Sequence, residues 1–428
     1  MKKLLVFGFY LLLFSCASAQ EEDVVIVDDE ACGCELVFVD GIQTTRSGDL
    51  FGFKRADGTV IVDNIYMFVD KFHGNYCKVF NNYEQCGLID RNGREIIPPI
   101  YTDVSYPTEG LILVNNNGLY GFFDTAGAQA IPFTWRAAST FSNGLAVVAV
   151  DIDSELVQYG YIDHTGKMSI PPRFEYAYPF SEGYAIVQNY QRFGYIDTLG
   201  HEVLPTKYEV LSPVFHGLFF AGSIEGLALY SVKGRSISPL TKPVYSSVVD
   251  FSDGRVLVTR DSLYGFLDSL GHEVIPCQYN TAYAFFNGRA TVSKDGKWGI
   301  INTLGEVVLP IEYDNSNTRS ELYRFHDGFA LIEKDGLYGY CGYDGHIGLS
   351  PSFEDAYHFS QGLAPVKIFS YWGYIDTTGV FFVQPVFDYA SPFEYGRAEV
   401  SYHGQPHKMD LKGRCVKNCK NAPKSWRN

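Results

Sequence analysis

At 428 residues the chain has the length of two or three ordinary domains, a count that internal repeats would void. Its formal net charge of −15, from 49 acidic against 34 basic side chains, repels polyphosphates and anionic lipid surfaces, so nucleic acid is excluded as the expected partner. Aromatic residues make up 16% of the chain, with 31 Tyr and 32 Phe and no Ala-, Glu- or Lys-rich helical run, a composition that favours pleated, half-buried strands throughout.

In chain order the first segment is a targeting signal. Lys2 and Lys3 precede an apolar run from Leu4 to Phe14, too short to span a bilayer and suited to the core of a secretory signal, so residues 1–19 are read as a signal peptide and the chain as exported. Ala17-Ser18-Ala19 before Gln20 has the small-x-small form of a processing site, while Leu13-Phe14-Ser15-Cys16 resembles a bacterial lipoprotein box that would place a lipid anchor on Cys16. Cleavage after Ala19 is preferred because Phe14 is bulky for that box; the acidic Glu21-Glu22-Asp23 suits either outcome. Residues 20–40 are assigned to an acidic N-terminal segment, and nothing later in the chain approaches transmembrane length. The expected location is the periplasm, the exterior or the outer-membrane surface.

Nine cysteines become eight once Cys16 is removed or lipidated, and an oxidising compartment permits disulfides. Cys77 and Cys86 flank Asn81-Asn82 symmetrically, so a hairpin turning there would set them opposite each other, and a one-residue change of register would undo it. Cys32 and Cys34 near the mature start and Cys415 and Cys419 near the end are further disulfide candidates, joining the termini or holding a metal. Their spacings are not those of zinc knuckles, which favours disulfides or thiols over a metal site.

From about Gly41 to Gly413 a unit of roughly 34 residues recurs about ten times. An anchor glycine falls at Gly52, Gly87, Gly121, Gly160, Gly194, Gly265, Gly299, Gly339 and Gly373, with Ala228 and His407 in the same slot of degenerate copies. An earlier glycine precedes it by eleven residues in most copies, as at Gly183, Gly254, Gly288 and Gly362. Each unit reads as three short strands. The first, such as Ala290-Thr291-Val292, ends in a hairpin signal such as Asp295-Gly296. The second runs through the anchor, as in Phe193-Gly194-Tyr195-Ile196-Asp197, and is apolar on both faces, hence central. An Asp-x-x-Gly turn follows, as at Asp163 to Gly166 or Asp376 to Gly379, with the residues of a type I turn. The third strand is then stopped, or made an edge, by a proline such as Pro171, Pro205 or Pro310. An aromatic-acidic link, such as Phe174-Glu175-Tyr176-Ala177, leads to Phe180-Ser181-Glu182-Gly183 and is a candidate short fourth strand.

Burying about five large side chains cannot offset the entropy of ordering one such unit. Stability must come from neighbours that cover each other's aromatic faces, in a stack whose ends need capping. The pattern resembles the WG-repeat, or KWG-repeat, family of bacterial exported proteins, with literal Trp-Gly pairs at Trp298-Gly299 and Trp372-Gly373 and Tyr or Phe standing in elsewhere. The resemblance implies a β-rich array with interaction roles and no general catalytic activity. The expected fold is therefore all-β: a tandem array of antiparallel three-stranded repeats in an open superhelical, solenoid-like stack, with propeller-like closure as the alternative. A basic, Cys-containing tail is assigned to residues 414–428.

Site signals are sparse. The repeated Asp residues occur one per turn, without the alternating carboxylates of a calcium cage; Asp151, Asp153 and Glu155, in an insertion, come nearest and lack the ligand and glycine pattern. His201 and His272 are repeat-equivalent, and no nucleophile elbow, metal motif or phosphate loop is present, so no catalytic residue and no cofactor is assigned. Trp298, Trp372 and Tyr371 are the candidate partner or ligand contacts, weighed against packing over a neighbouring backbone. The insertions 315–321 and 151–157 are candidate contact loops. The leading expectation is a non-catalytic scaffold for protein–protein interactions in the cell envelope, and the rival is a glycan- or peptidoglycan-binding module.

Overall fold

A computed structural model of the chain describes residues 24–29, 34–39, 41–152, 156–315, 323–420, 422–423 and 425–426. The signal segment, Cys16, Cys32, Asp153, Glu155 and nearly all of the 315–321 insertion lie outside the described residues. Every regular element described is a strand. The chain divides into two compact units, Met1–Ile100 and Tyr101–Asn428.

The first unit holds a five-stranded antiparallel sheet (Val24–Asp29, Cys34–Val39, Ile42–Ser47, Leu50–Arg55 and Val60–Tyr66) and the sheet around Gly87. The segment read as an acidic leader to residue 40 thus contributes a hairpin to the first sheet. Among the described residues of the second unit nine four-stranded meanders follow one another, each built around one anchor position. The Gly299 sheet is representative, with Thr281–Ala282, Arg289–Lys294, Lys297–Asn302 and Val307–Tyr313 paired in that order. Its two-residue leading strand is the aromatic-acidic link, so the candidate fourth strand joins the expected three.

Local chemistry dictates the turns. Asp295 and Gly296 take φ of 53° and 78°, the two positive angles that a tight two-residue hairpin requires. In the next turn the Asp163 carboxylate accepts the backbone N–H groups of Thr165 (2.9 Å) and Lys167 (3.1 Å), and the Gly166 N–H closes on the Asp163 carbonyl at 2.9 Å. Asp376 repeats this arrangement with Thr378 and Val380.

The proline does not stop the third strand. Pro310 lies inside Val307–Tyr313, at a bulge where Leu309 faces Ile300 and Tyr313 faces Trp298. The strand is the outer one of its sheet, so a missing N–H donor is tolerated there. The same bulge explains the anchor. A Cβ on Gly299 would lie 2.7 Å from the Leu309 carbonyl oxygen and 2.8 Å from Ile311 Cα, so only glycine lets the bulged strand cross. Anchor glycine and later proline are two halves of one crossing.

Neighbouring sheets share cores. The aromatic residue after the anchor packs on a phenylalanine that opens the next repeat: Phe122 on Phe141 at 4.9 Å, Tyr161 on Phe180 at 4.9 Å, Phe266 on Phe285 at 4.7 Å and Tyr340 on Phe359 at 4.8 Å between ring centroids. Where that residue is tyrosine its hydroxyl also crosses the seam, Tyr161 donating to the Tyr178 carbonyl at 2.9 Å and Tyr374 to that of Ser391 at 2.7 Å. Burial pushes both phenols above the usual tyrosine range.

The array continues past Gly413. Cys415–Lys417 completes the last sheet, and Trp426, 7% exposed, closes a cluster that includes Phe387, Phe393 and Met409. Residues assigned to a tail therefore supply the final strand and a cap. Cys415 and Cys419 form a disulfide within this cap, with Cα atoms 5.7 Å apart. Cys77 and Cys86 are not bonded to each other: the hairpin turns over residues 81–85, which pairs Cys77 with Ile89 and Cys86 with Phe80. The buried Cys77 thiol instead donates to the Asp70 carbonyl at 3.1 Å, and burial pushes its pKa up to about 12.

Candidate functional site

The most repetitive polar feature is a series of turns. In six of them the residue before the early glycine offers a side-chain acceptor to the equivalent turn of the next repeat. Glu109 accepts the Gly144 N–H at 3.0 Å, Asn143 that of Gly183 at 2.7 Å and Glu182 that of Gly217 at 3.0 Å. Further along, Asp253 accepts from Gly288 at 2.6 Å, Asp327 from Gly362 at 2.8 Å and Gln361 from Gly396 at 2.8 Å. The serine of the same turn adds a second bond, Ser142 to the Phe180 carbonyl at 2.7 Å and Ser360 to that of Phe393 at 2.5 Å. These residues set repeat against repeat. The available signal was an Asp, Glu, Asn or Gln immediately before the early glycine, legible only after the copies are aligned.

The candidate aromatic contacts separate. Trp298, half-buried, stacks on Tyr283 at 6.2 Å and on Tyr323 at 6.0 Å, the second ring within 5° of parallel. Trp372, 5% exposed, stacks on Tyr357 at 5.3 Å. Tyr371, on the same strand, is 49% exposed. The structure therefore does not bring the three together as one open platform.

Titratable groups are committed to local structure. His201 and His272 each turn Nδ1 toward the aspartate of their own turn, Asp197 at 3.2 Å and Asp268 at 3.0 Å, and Arg235 Nε reaches Asp197 at 2.9 Å. Burial alone would raise the Asp197 pKa, but the His201 backbone N–H and the Arg235 guanidinium outweigh it and hold the carboxyl below the usual range. The Thr165 hydroxyl bond does the same for Asp163. Asp151 forms an ion pair with Arg136 at 2.9 Å. Among the described residues no group of three or more His, Cys, Asp or Glu is placed to hold a metal, and no helix is long and apolar enough to cross a membrane.

Serial four-stranded meanders that share cores define a tandem β-repeat protein. The sequence profile described as "WG containing repeat" matches it eight times, at residues 87–120, 120–151, 159–191, 193–221, 264–298, 298–338, 338–368 and 372–404. The chain belongs to this family. The anchor positions Gly52, Ala228 and His407 fall outside the matched segments. No curated protein is significantly similar in sequence. Similar solved structures include a eukaryotic initiation factor (TM-score 0.39, 12% identity, covering 73% of this chain and 95% of that one). Two others are dihydro-heme d1 dehydrogenase NirN (0.30, 13%, 62% and 72%) and the extracellular domain of the putative one component system BT4673 from B. thetaiotaomicron (0.22, 10%, 88% and 67%).

Proposed function

We propose that the chain is a non-catalytic, exported repeat scaffold that holds protein partners in the bacterial cell envelope. The observation that carries this reading is how the polar groups are used: turn carboxylates bind backbone N–H groups, seam hydroxyls bind carbonyls, and turns bind turns. Such a lattice favours an extended, regular surface over a reactive centre. Export rests on Lys2, Lys3 and the apolar run after them, with an anchor on Cys16 as the variant outcome. Exposed hairpin tips supply contact points, among them Tyr190 at 87%, Ile224 at 87% and Phe369 at 85% exposure.

Photo-crosslinking in cells from positions 190, 224 and 369, with fractionation of the envelope, tests the reading. The same discrete adduct from neighbouring tips in an envelope fraction supports it; a cytoplasmic chain without adducts overturns it. Turnover abolished by a single Asp or His substitution would replace it with an enzyme. For the rival glycan reading Trp372 offers little, being 5% exposed and stacked on Tyr357.

A further inference from the structure

We propose that the cleft beside Trp135, between the Gly121 and Gly160 sheets, binds a neutral saccharide. The inference does not depend on the scaffold reading. The cleft measures about 480 Å³ and is lined by Asn117, Leu119, Thr134, Trp135, Arg136 and Asp151 among others, a volume within the range of small-molecule sites.

Trp135 is the first reason. Of the four tryptophans, Trp298 and Trp372 are stacked on tyrosines and Trp426 packs on Phe387 at 5.2 Å. Trp135 packs against the apolar cluster below it, stacks on no ring among the described residues, and its buried Nε1 donor meets no acceptor there. The position itself does not call for indole. Trp135 faces Tyr120 across the crossing, and the equivalent pairs are Tyr159 with Phe174, Tyr264 with Tyr279 and Trp372 with Phe387. Core packing is satisfied by a single ring in those sheets, so the fold does not require the second ring of Trp135.

Charge is the second reason. Arg136 and Asp151 neutralise each other at 2.9 Å while their side chains stay 64% and 49% exposed. A net-neutral pair on a chain of charge −15 gives phosphate or polycarboxylate ligands no advantage. It does present donors and an acceptor side by side, with the Asn117 amide and the Thr134 hydroxyl nearby. Sugar hydroxyls both donate and accept, and the C–H face of a pyranose suits an aromatic surface. The shallow, half-polar cleft matches a ligand that keeps one side in water.

The test is calorimetric titration of the full chain with chitotriose, cellotriose and maltotriose, and separately with inorganic phosphate. The expected result is saturable binding of at least one trisaccharide and none of phosphate. Trp135→Phe, which restores the residue used at Phe174 and Phe387, should weaken that binding by about tenfold or more without shifting the melting temperature. Asp151→Asn should weaken it as well, and Trp372→Phe should leave it unchanged. The proposal is overturned if none of the three sugars binds, if phosphate binds in their place, or if affinity survives Trp135→Phe.

Discussion

The Gly299 and Ala228 sheets solve one problem in two ways. In the first, the outer strand spans the anchor from Leu309 to Tyr313, and a Cβ has no room. In the second, the Leu240 N–H bonds to the Leu229 carbonyl and Tyr245 pairs with Leu227, so the crossing from Leu240 to Tyr245 is one residue longer. Ala228 fits beneath it, buried at 2% exposure. The seam differs in parallel: Val214 stands where Phe180 stands one repeat earlier, and Phe219 packs on Tyr195 at 5.0 Å in compensation. The repeat thus conserves a crossing and a filled seam, and the glycine and phenylalanine are the usual means to them.

The largest effect should come from emptying a seam. Phe180→Ala removes the ring from the core shared with Tyr161 and should cost about 3–5 kcal/mol in chemical denaturation, whereas Val214→Ala should cost roughly 2 kcal/mol. Equal losses would show that the seam is not where the repeats depend on each other. Next is the crossing. Gly299→Ala should cost about 3 kcal/mol by forcing the bulged strand away, while Ala228→Gly should cost less than about 1 kcal/mol. A benign Gly299→Ala would remove the reason given for the anchor.

Much of this was legible before any coordinates. The 34-residue period, the Asp-Gly hairpins and the Asp-x-x-Gly turns are local, and one residue type at one offset announces each. The crossing was not legible, because Gly299 and Pro310 are separated by a turn and their relation appears only when the strands pair. The Cys77 and Cys86 expectation failed for a related reason: a turn of five residues rather than two shifts the register. The seam bonds of Glu109, Asn143 and Glu182 are legible only with the copies aligned, because one polar residue before a glycine does not by itself announce a partner some 35 to 40 residues away.

Smaller effects sharpen the same contrast. Tyr374→Phe keeps the ring but leaves the Ser391 carbonyl without its donor, and should cost about 1–2 kcal/mol by denaturation. Acid should act through the turns that the Ala228 sheet lacks, where Lys233 to Ser236 replaces the aspartate turn. The carboxyls of Asp163, Asp268 and Asp376 are held below their ordinary value. Their contribution is therefore complete above about pH 4 and is lost as the pH falls through the lower folded-state values. Thermal melts between neutral and acid pH should show this decline, and Asp163→Asn should flatten part of it.

Mutual burial is tested most directly by comparing a peptide of residues 355–387, one sheet, with a chain of residues 355–426, that sheet together with its capped neighbour. The expected result is a disordered peptide, with collapsed amide dispersion in its NMR spectrum, beside a cooperatively folding pair. A single sheet that folds by itself, with the dispersion it has in the pair, would contradict the account.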